Sequence, residues 1–354
     1  MSMHTGEPLE ERQNKVLVAV VCTYISTAEP VGSRTIAKKY DIGVSSATVR
    51  NIMADLDEMG FLVQPHTSAG RIPTDKGFRF YVDHLEKAQK TLEEIMSLNI
   101  EQVLHTESEL GNLMKKTSDV LSQLSNQAGL VLAPKLKHTV CRHIDFIRLH
   151  SSKILVIFIS EAGLVHKRVI MLEEEISQDV LDKISKLITE ELMGLSLSEI
   201  RTKLVKMMKT EKSQFDYLFA QAIKLSQQFF LDDVEEDELY VGGTFNMMNQ
   251  PEFADIEKMK LLFKAFEEKR LLIHILDQCL DDGDDQAIVL IGEENHIEDM
   301  KDLSLVLSSY KYGERALGAV GIIGPKRMDY TQIIPIVEYT AKAISRLLTE
   351  RGES

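Results

Sequence analysis

Apolar residues near the N-terminus recur at a helical spacing. Between positions 9 and 27 they form an i, i+4, i+5, i+8 stripe that begins at Val16 and reaches Tyr24. This spacing places them on one face of an α-helix. Pro30 and Gly32 interrupt the pattern, and both residue types favour helix ends and turns. The pattern therefore predicts a first helix with one buried face.

Two more helices are predicted next. Ser33 precedes the first of them and is a suitable N-cap, because its hydroxyl can accept a backbone N–H. Ser45 stands in the same way before a third helix, whose inner stripe runs from Val49 to Met59. Gly60 follows that stripe, and glycine is favoured just after a helix end because it tolerates a left-handed backbone.

A short hairpin and a fourth helix complete the segment. The sequences FLVQ and RIPT, at 61–64 and 71–74, have strand composition and flank the loop PHTSAG. Thr74 or Asp75 can start the helix that follows. Helices followed by a short hairpin are typical of a winged helix-turn-helix module, which binds DNA. We assign this module to residues 1–85.

Residues 86–128 are polar and favour helix throughout, without proline. Their apolar positions suit amphipathic helices: Leu92, Ile95, Met96, Val103 and Leu104. We predict a helical linker here, and dimerisation through these helices is the alternative.

Strand-like and helical stretches alternate along the rest of the chain. Strand composition occurs at 129–134, 141–172, 286–292, 303–312 and 316–325. Helical patterns fill most of the region between 178 and 280, where YVGGTFNM is a short interruption that contains glycine. Strands on both sides of a helical block predict one α+β sheet domain, 129–194 and 281–354, with an insertion at 195–280.

Charge is unevenly distributed along the chain, whose formal net charge is −14. Residues 1–84 carry nine Lys and Arg against ten Asp and Glu, whereas the remaining residues carry 32 against 45. An acidic protein repels nucleic acid except where basic residues gather. The chain is therefore suited to a narrow, specific DNA contact in its first segment.

The composition excludes several other classes of protein. Apolar residues make up 44% and charged residues 27%, as in a soluble globular protein, and the longest apolar run is too short to cross a bilayer. The N-terminus lacks the order of a signal peptide, so we expect a cytoplasmic protein. The cysteines and histidines form no metal-ligating motif, and no GxSxG or P-loop is present. We therefore expect no enzyme, no cofactor and no bound metal.

The start of the predicted third helix has the residues of a DNA-reading surface. If the apolar stripe faces inward, Ser46, Arg50 and Asn51 face outward at helical spacing. An α-helix fits the major groove, where arginine can pair with guanine and asparagine with adenine. The hydroxyls of Ser45, Ser46 and Thr48 lie where backbone N–H groups and the helix dipole attract phosphate.

Residues around this helix supply further predicted contacts. The loop PHTSAGR offers four side chains to the DNA backbone or minor groove: His66, Thr67, Ser68 and Arg71. Gly70 would permit a tight turn there. Arg34 and Lys38, on the second helix, are expected to touch phosphates beside the groove. For each of these residues alone, a capping or surface role is the alternative.

Three stretches of the sequence resemble one bacterial family. EPVGSRTIAKKY (29–40), SSATVRNIMADLDEMGFLVQPHTSAGRIPTDKGFRFYVD (45–83) and GGTFNMMNQPEF (242–253) are similar to segments of the heat-inducible transcription repressor family, HrcA. The resemblance extends more loosely over nearly the whole chain. It implies a winged-helix domain, a GAF-like domain and an inserted dimerising domain, which we place at the boundaries given above.

The resemblance also implies a function. Members repress chaperonin and Hsp70-system operons by binding, as dimers, an inverted repeat upstream of those genes. Chaperonin holds the repressor in its active form, and heat stress relieves repression by occupying chaperonin with unfolded proteins. The expected partners are therefore double-stranded DNA, a second copy of the chain, and chaperonin. A dyad-related pair of helices about 34 Å apart would match an inverted repeat.

A ligand-sensing regulator is the alternative hypothesis. GAF-like folds often enclose a ligand pocket, so the sheet predicted from 129–172 and 286–325 could bind an effector that controls DNA affinity. These strands carry mainly Val, Ile and Leu, with few polar side chains that could converge on a ligand. We therefore favour a filled apolar core.

Overall fold

The computed structural model describes most of the chain. The described residues are 9–85, 100, 109–135, 139–150, 152–172, 175–210, 217–230, 238–282 and 286–353. Within them, helices accompany antiparallel sheets of two, five and three strands, so the predicted α+β class is confirmed. The winged-helix and GAF-like assignments remain predictions. No helix in these ranges combines the length and apolarity needed to cross a membrane.

The N-terminal module, residues 9–85, contains the predicted helices and hairpin. Its elements are α1 (Glu11–Thr27), α2 (Ser33–Lys39), α3 (Ser46–Glu58), β1 (Leu62–Val63), β2 (Ile72–Pro73) and α4 (Asp75–Asp83). β1 and β2 pair as an antiparallel hairpin, and a β-bridge between Val31 and Arg71 extends the pairing. The hairpin is thereby attached to the turn between α1 and α2.

The ends of α2 and α3 test the predicted caps. Ser45 caps α3 as predicted, because its Oγ accepts the Thr48 N–H. Gly60 ends α3 as predicted, with a φ of +77° that glycine adopts without strain. The predicted cap at Ser33 is wrong: Gly32 is the N-cap, and Ser33 is the first helical residue.

A five-stranded antiparallel sheet is the centre of what we call the body. Its strands are, in sheet order, β7 (Leu239–Gly242), β3 (Ala128–Leu132), β10 (Arg315–Pro325), β9 (Leu303–Tyr312) and β8 (Ile288–Ile291). Helices α5 (Leu110–Ser125) and α12 (Tyr330–Glu353) cover one face. Helices α9 (Thr244–Met248), α10 (Ile256–Glu267) and α11 (Lys269–Asp282) cover the other. β9 and β10 are therefore buried on both sides.

Helix α5 belongs to the body rather than to a linker. Leu113 and Met114 are fully buried against the sheet. Gly129 of β3 allows this packing, because a Cβ there would lie 2.2 Å from the Ser118 carbonyl oxygen. The predicted linker is therefore wrong over α5. Its apolar positions between 92 and 104 lie outside the described residues.

Three strands predicted to join the main sheet form a separate sheet. These are β4 (Cys141–His150), β5 (Lys153–Ser160) and β6 (Val165–Met171), which pair antiparallel with each other. One face packs on α6 (Gln178–Leu192), α7 (Leu197–Thr210) and α8 (Tyr217–Phe230), and these elements share an apolar core of their own. We call β4–β6 and α6–α8 the inserted unit. Apolar strands of this length do not indicate which sheet they join, so the single-sheet prediction is wrong.

The end of the inserted unit also differs from the prediction. YVGG, which was expected to interrupt a helical block, begins with the last three residues of edge strand β7, and these pair with β3. Gly242 permits close packing of α5 there, since a Cβ would lie 2.6 Å from the Ser118 backbone. Helices α10 and α11 pack on the five-stranded sheet. The segment 195–280 is therefore divided between the inserted unit and the body.

Candidate nucleic-acid interface

Helix α3 has one buried face and one exposed face. Val49, Met53 and Leu56 are buried in the N-terminal module, as the sequence predicts. Arg50 and Asn51 are exposed in the first two turns of the helix. An exposed helix start with these two side chains can enter a major groove without repacking of the module.

The hydroxyl groups at the start of α3 are partly used within the module. Ser45 Oγ accepts the Thr48 N–H at 3.2 Å and lies 3.0 Å from Thr48 Oγ1. Ser46 is the first helical residue and is half-buried. The first turn of an α-helix has N–H groups without intrahelical partners, so a phosphate can bind beside this cap.

Arg34 and Lys38 are exposed on α2, about one turn apart. Helix α2 packs directly against α3. Basic side chains on a helix next to the one in the groove can contact the flanking phosphates. Contact of these two residues with DNA remains a prediction.

One glutamine shapes the hairpin loop. Gln64 Nε2 donates to the carbonyl oxygens of Thr67 and Ala69, both at 3.0 Å. The loop closed by these bonds exposes His66, Thr67 and Ser68. The sequence prediction missed Gln64, because its partners are backbone carbonyls and no side-chain motif marks the pair.

Arg71 lies beneath the hairpin rather than at its tip. Its Nε is 2.7 Å from Asp57 Oδ2 of α3, and its side chain is only 20% exposed. The backbone of Arg71 also pairs with Val31 through two hydrogen bonds of 2.9 Å. Arg71 therefore fastens the hairpin to α3, and contact of its guanidinium with DNA requires the ion pair to open.

Gly70 serves close packing rather than a tight turn, which corrects the prediction. Its φ lies outside the left-handed region. A Cβ at this position would lie 2.4 Å from the Val31 carbonyl oxygen. Only glycine therefore lets the hairpin approach the turn before α2.

Comparison with known proteins shows the family of the chain. Residues 111–334 match the family model described as HrcA protein C terminal domain. The chain belongs to the HrcA family of heat-inducible transcription repressors. The HrcA family model begins at residue 111 and does not include the N-terminal module. The similarity of the module to HrcA proteins is shown by relatives that align over nearly the whole chain.

Two HrcA relatives align with almost the whole chain, and both are named heat-inducible transcription repressor HrcA. The protein of Syntrophobacter fumaroxidans is 45% identical over 98% of this chain and 99% of its own. The protein of Geobacter sulfurreducens is 43% identical over 96% of this chain and 98% of its own. The similarity to HrcA therefore includes the residues of α3 and the hairpin.

A solved structure shares the overall fold of this HrcA-family chain. It is described as the crystal structure of a hypothetical protein at 2.2 Å resolution. The alignment covers 97% of this chain and 98% of that chain, with a TM-score of 0.57 and 25% identity. The likeness therefore spans the N-terminal module, the body and the inserted unit.

The titratable side chains form neither a metal site nor a reactive thiol site among the described residues. Within the described ranges, no three His, Cys, Asp or Glu side chains come together in a way that could hold a metal ion. Cys141 and Cys279 are buried, and burial raises the pKa of the Cys141 thiol to about 12. A thiol with so high a pKa stays protonated and is a poor nucleophile.

Proposed function

We propose that this chain is a heat-inducible transcription repressor that binds an inverted-repeat operator as a dimer. The N-terminal module acts as a winged helix, in which α3 enters the major groove and the hairpin follows the DNA backbone or minor groove. The exposed start of α3, with Arg50 and Asn51, is the observation that carries the proposal. The capped helix start and the loop closed by Gln64 support it, because both present polar groups in a fixed arrangement.

The contacts follow from the chemistry of each side chain. Arg50 forks onto O6 and N7 of guanine, and Asn51 pairs with N6 and N7 of adenine. The remaining contacts are to phosphate and sugar, which position the module without reading bases. They involve Arg34, Lys38, Ser45, Ser46, Thr48, His66, Thr67, Ser68 and Arg71.

The outer face of the three-stranded sheet supports dimerisation. Four apolar side chains on it are between 38% and 66% exposed: Ile147, Val165, Val169 and Met171. An apolar face of this kind on a soluble protein marks an interaction surface. We propose that a second copy of the chain covers it.

The charges on this face favour a second copy over an unrelated partner. Asp145, Ile157 and Lys167 form one row across β4, β5 and β6. A two-fold axis along β5 would bring Asp145 of each copy opposite Lys167 of the other. An isologous dimer requires this kind of self-complementarity. The dimerising unit would then be 139–230, in place of 195–280.

Chaperonin is proposed to transmit the heat signal. It holds the repressor in its active form, and unfolded proteins that accumulate on heating occupy it, so repression falls. The names of the relatives support the heat response. The apolar face of the inserted unit supports binding by chaperonin, because this face is exposed in a monomer and is suited to a chaperone.

Selection from a random duplex pool, followed by fluorescence-anisotropy titration, tests the proposal. We expect an inverted repeat to emerge. Arg50→Ala should weaken binding by about 1–3 kcal/mol, mainly through one base position. Lys342→Ala, which removes an exposed cation from the body, should leave binding unchanged. A pool without enrichment, or equal binding by wild type and Arg50→Ala, would refute the proposal.

A ligand-sensing regulator is the second candidate because of one cleft. The cleft has a volume of about 580 Å³ and lies between the N-terminal module and the body, lined in part by Tyr24, Phe78 and Arg327. The sequence predicted that an effector pocket would lie within the sheet domain. In the structure, side chains pack on both faces of β9 and β10 there. A thermal-shift screen separates the candidates, because an effector must stabilise the state that it binds.

A further inference from the structure

Two charged side chains of α4 face the body. Asp75 and Arg79 lie about one helical turn apart. Asp75 Oδ1 accepts a hydrogen bond from Lys326 Nζ at 2.6 Å, and its Oδ2 accepts the Glu293 N–H at 3.1 Å. Arg79 Nε donates to Glu294 Oε1 at 2.9 Å. The acid and the base of α4 thus pair with a base and an acid of the body, Lys326 and Glu294 respectively. We call the four side chains the clamp: Asp75, Arg79, Glu294 and Lys326.

The backbone of the body approaches α4 closely at the clamp. Gly292 lies beside the Asp75 carboxylate, and a Cβ at Gly292 would be 2.0 Å from Asp75 Oδ2. Gly292 also has a φ of +56°, which disfavours other residues. The body is therefore shaped to receive this carboxylate, and the docking is not a loose contact between two charged surfaces.

A second contact fixes the end of α1. Arg327 Nη1 donates to the Ile25 carbonyl oxygen at 3.2 Å, and Nη2 donates to Gln250 Oε1 at 2.9 Å. The guanidinium is also paired with Glu252, and the side chain is only 15% exposed. Two helices of the N-terminal module are thus held by the body at separate points, which restrains rotation as well as separation.

Apolar packing continues through the same interface. Phe78 of α4 is buried, and its ring centroid is 6.5 Å from that of Tyr330 of α12. One cluster of buried residues runs from α1 and α4 into α12. A polar interface between domains permits relative motion, whereas a large apolar one fixes their orientation. The N-terminal module therefore has one orientation on the body.

The clamp is separate from the side chains proposed to contact DNA. Arg50 and Asn51 are exposed on α3. The side chains of Asp75 and Arg79 are only 26% and 20% exposed, because they face the body. Substitution in the clamp can therefore change the orientation of the module without removing a DNA contact.

We propose that the clamp determines which spacing between half-sites the dimer accepts. The proposal rests on the dimeric repressor function proposed above. In a dimer with clamped modules, the body sets the distance and the angle between the two copies of α3. Each base pair inserted between the half-sites moves the second one by about 3.4 Å and rotates it by about 34°.

A clamped module cannot follow this displacement, so the duplex must twist or bend to restore both contacts, and that deformation lowers affinity. Loss of the clamp weakens this docking, so the module can reorient and follow the displaced half-site. The clamp residues are therefore specificity-determining residues that do not touch DNA.

Operators with altered spacing test the proposal in the full-length protein. The selected inverted repeat is compared with versions whose inserts equal about a fifth and about half of a helical turn. Wild type should bind the original spacing about 30-fold better than either insert. Arg79→Glu places a carboxylate opposite Glu294, and this variant should bind the original spacing less than about 5-fold better than either insert. The swap Arg79→Glu with Glu294→Arg should recover most of the discrimination. Lys342→Glu is the matched charge-reversal control on the body and should behave as wild type.

A duplex with one half-site separates failure of the clamp from failure of the proposed function. Wild type and Arg79→Glu should bind it equally, because Arg79 faces the body and none of the proposed DNA contacts is changed. If wild type shows no sequence preference, the repressor proposal itself fails. If Arg79→Glu keeps the discrimination of wild type, or loses binding to the half-site, the clamp proposal is overturned. Lys326→Glu breaks the other ion pair and repeats the test should Arg79→Glu not fold.

Discussion

Replacement of Gly70 by alanine should loosen the hairpin while leaving every proposed DNA contact in place. The added methyl group would lie 2.4 Å from the Val31 carbonyl oxygen and 2.5 Å from its carbonyl carbon. Favourable contact between such atoms needs about 3.5–4.0 Å, so the two backbones must separate by roughly 1 Å. The two hydrogen bonds between Val31 and Arg71, each 2.9 Å long, would then exceed bonding distance.

The expected magnitude follows from these losses. Each backbone hydrogen bond contributes about 0.5–1.5 kcal/mol, and overpacking of a tight contact costs about 1–3 kcal/mol. Together these costs reach about 2–6 kcal/mol, but the separation that breaks the bonds also relieves most of the overlap, so we expect the paired conformation to lose about 2–3 kcal/mol relative to the open one. Since 1.4 kcal/mol is a factor of ten, the open population should rise about 30–150-fold.

Hydrogen exchange in the full-length protein measures this change directly. The amides of Val31 and Arg71 both donate in the bridge, so both should exchange about 30–150-fold faster in Gly70→Ala, and operator affinity should fall. Gly32→Ala is the matched control, because the nearest atom to its added Cβ is 3.9 Å away and its φ is negative. Unchanged exchange in Gly70→Ala would show that the hairpin does not need this close approach.

Three further outcomes are expected. Gln64→Glu places a carboxylate against two carbonyl oxygens, so operator binding should weaken about 5–20-fold in anisotropy titrations, with the helical circular dichroism unchanged. Val169→Asp buries a charge in the proposed dimer face and should yield monomers in sedimentation analysis; a persisting dimer would assign the contact to another surface. Because burial raises the pKa of Cys141 to about 12, native protein at pH 8 should be alkylated at the less buried Cys22 first, as read by mass spectrometry.

Local signals were sufficient to predict the N-terminal module. The apolar stripe of α3, its Ser45 cap and the Gly60 stop all lie within a few turns of one another, so neighbouring sequence carries them. The predictions failed where the deciding partner is distant in the chain. Arg71 pairs with Asp57, and Gly70 meets Val31, through contacts that exist only once the hairpin has folded back.

Sheet membership could not be read from composition for a similar reason. β5 carries apolar residues on both faces, as Leu155 and Ile157 lie on its outer side and Val156 on its inner side. That pattern is typical of a strand covered on both sides, such as β9. Within the described residues, helices cover one face of β5 and leave the other uncovered. The pattern is consistent instead with the proposal that a second copy covers the other face.

The buried cluster that joins α1 and α4 to α12 gives the N-terminal module and the body a common core. Phe78 contacts aromatic rings of both parts, with Tyr24 on one side and Tyr330 on the other. Loss of packing in the body therefore removes part of the interior of the module in the same transition. We expect heat to inactivate each molecule in an all-or-none manner. The steepness of derepression with temperature would then reflect the size of this cooperative unit, because a larger unfolding enthalpy narrows the transition.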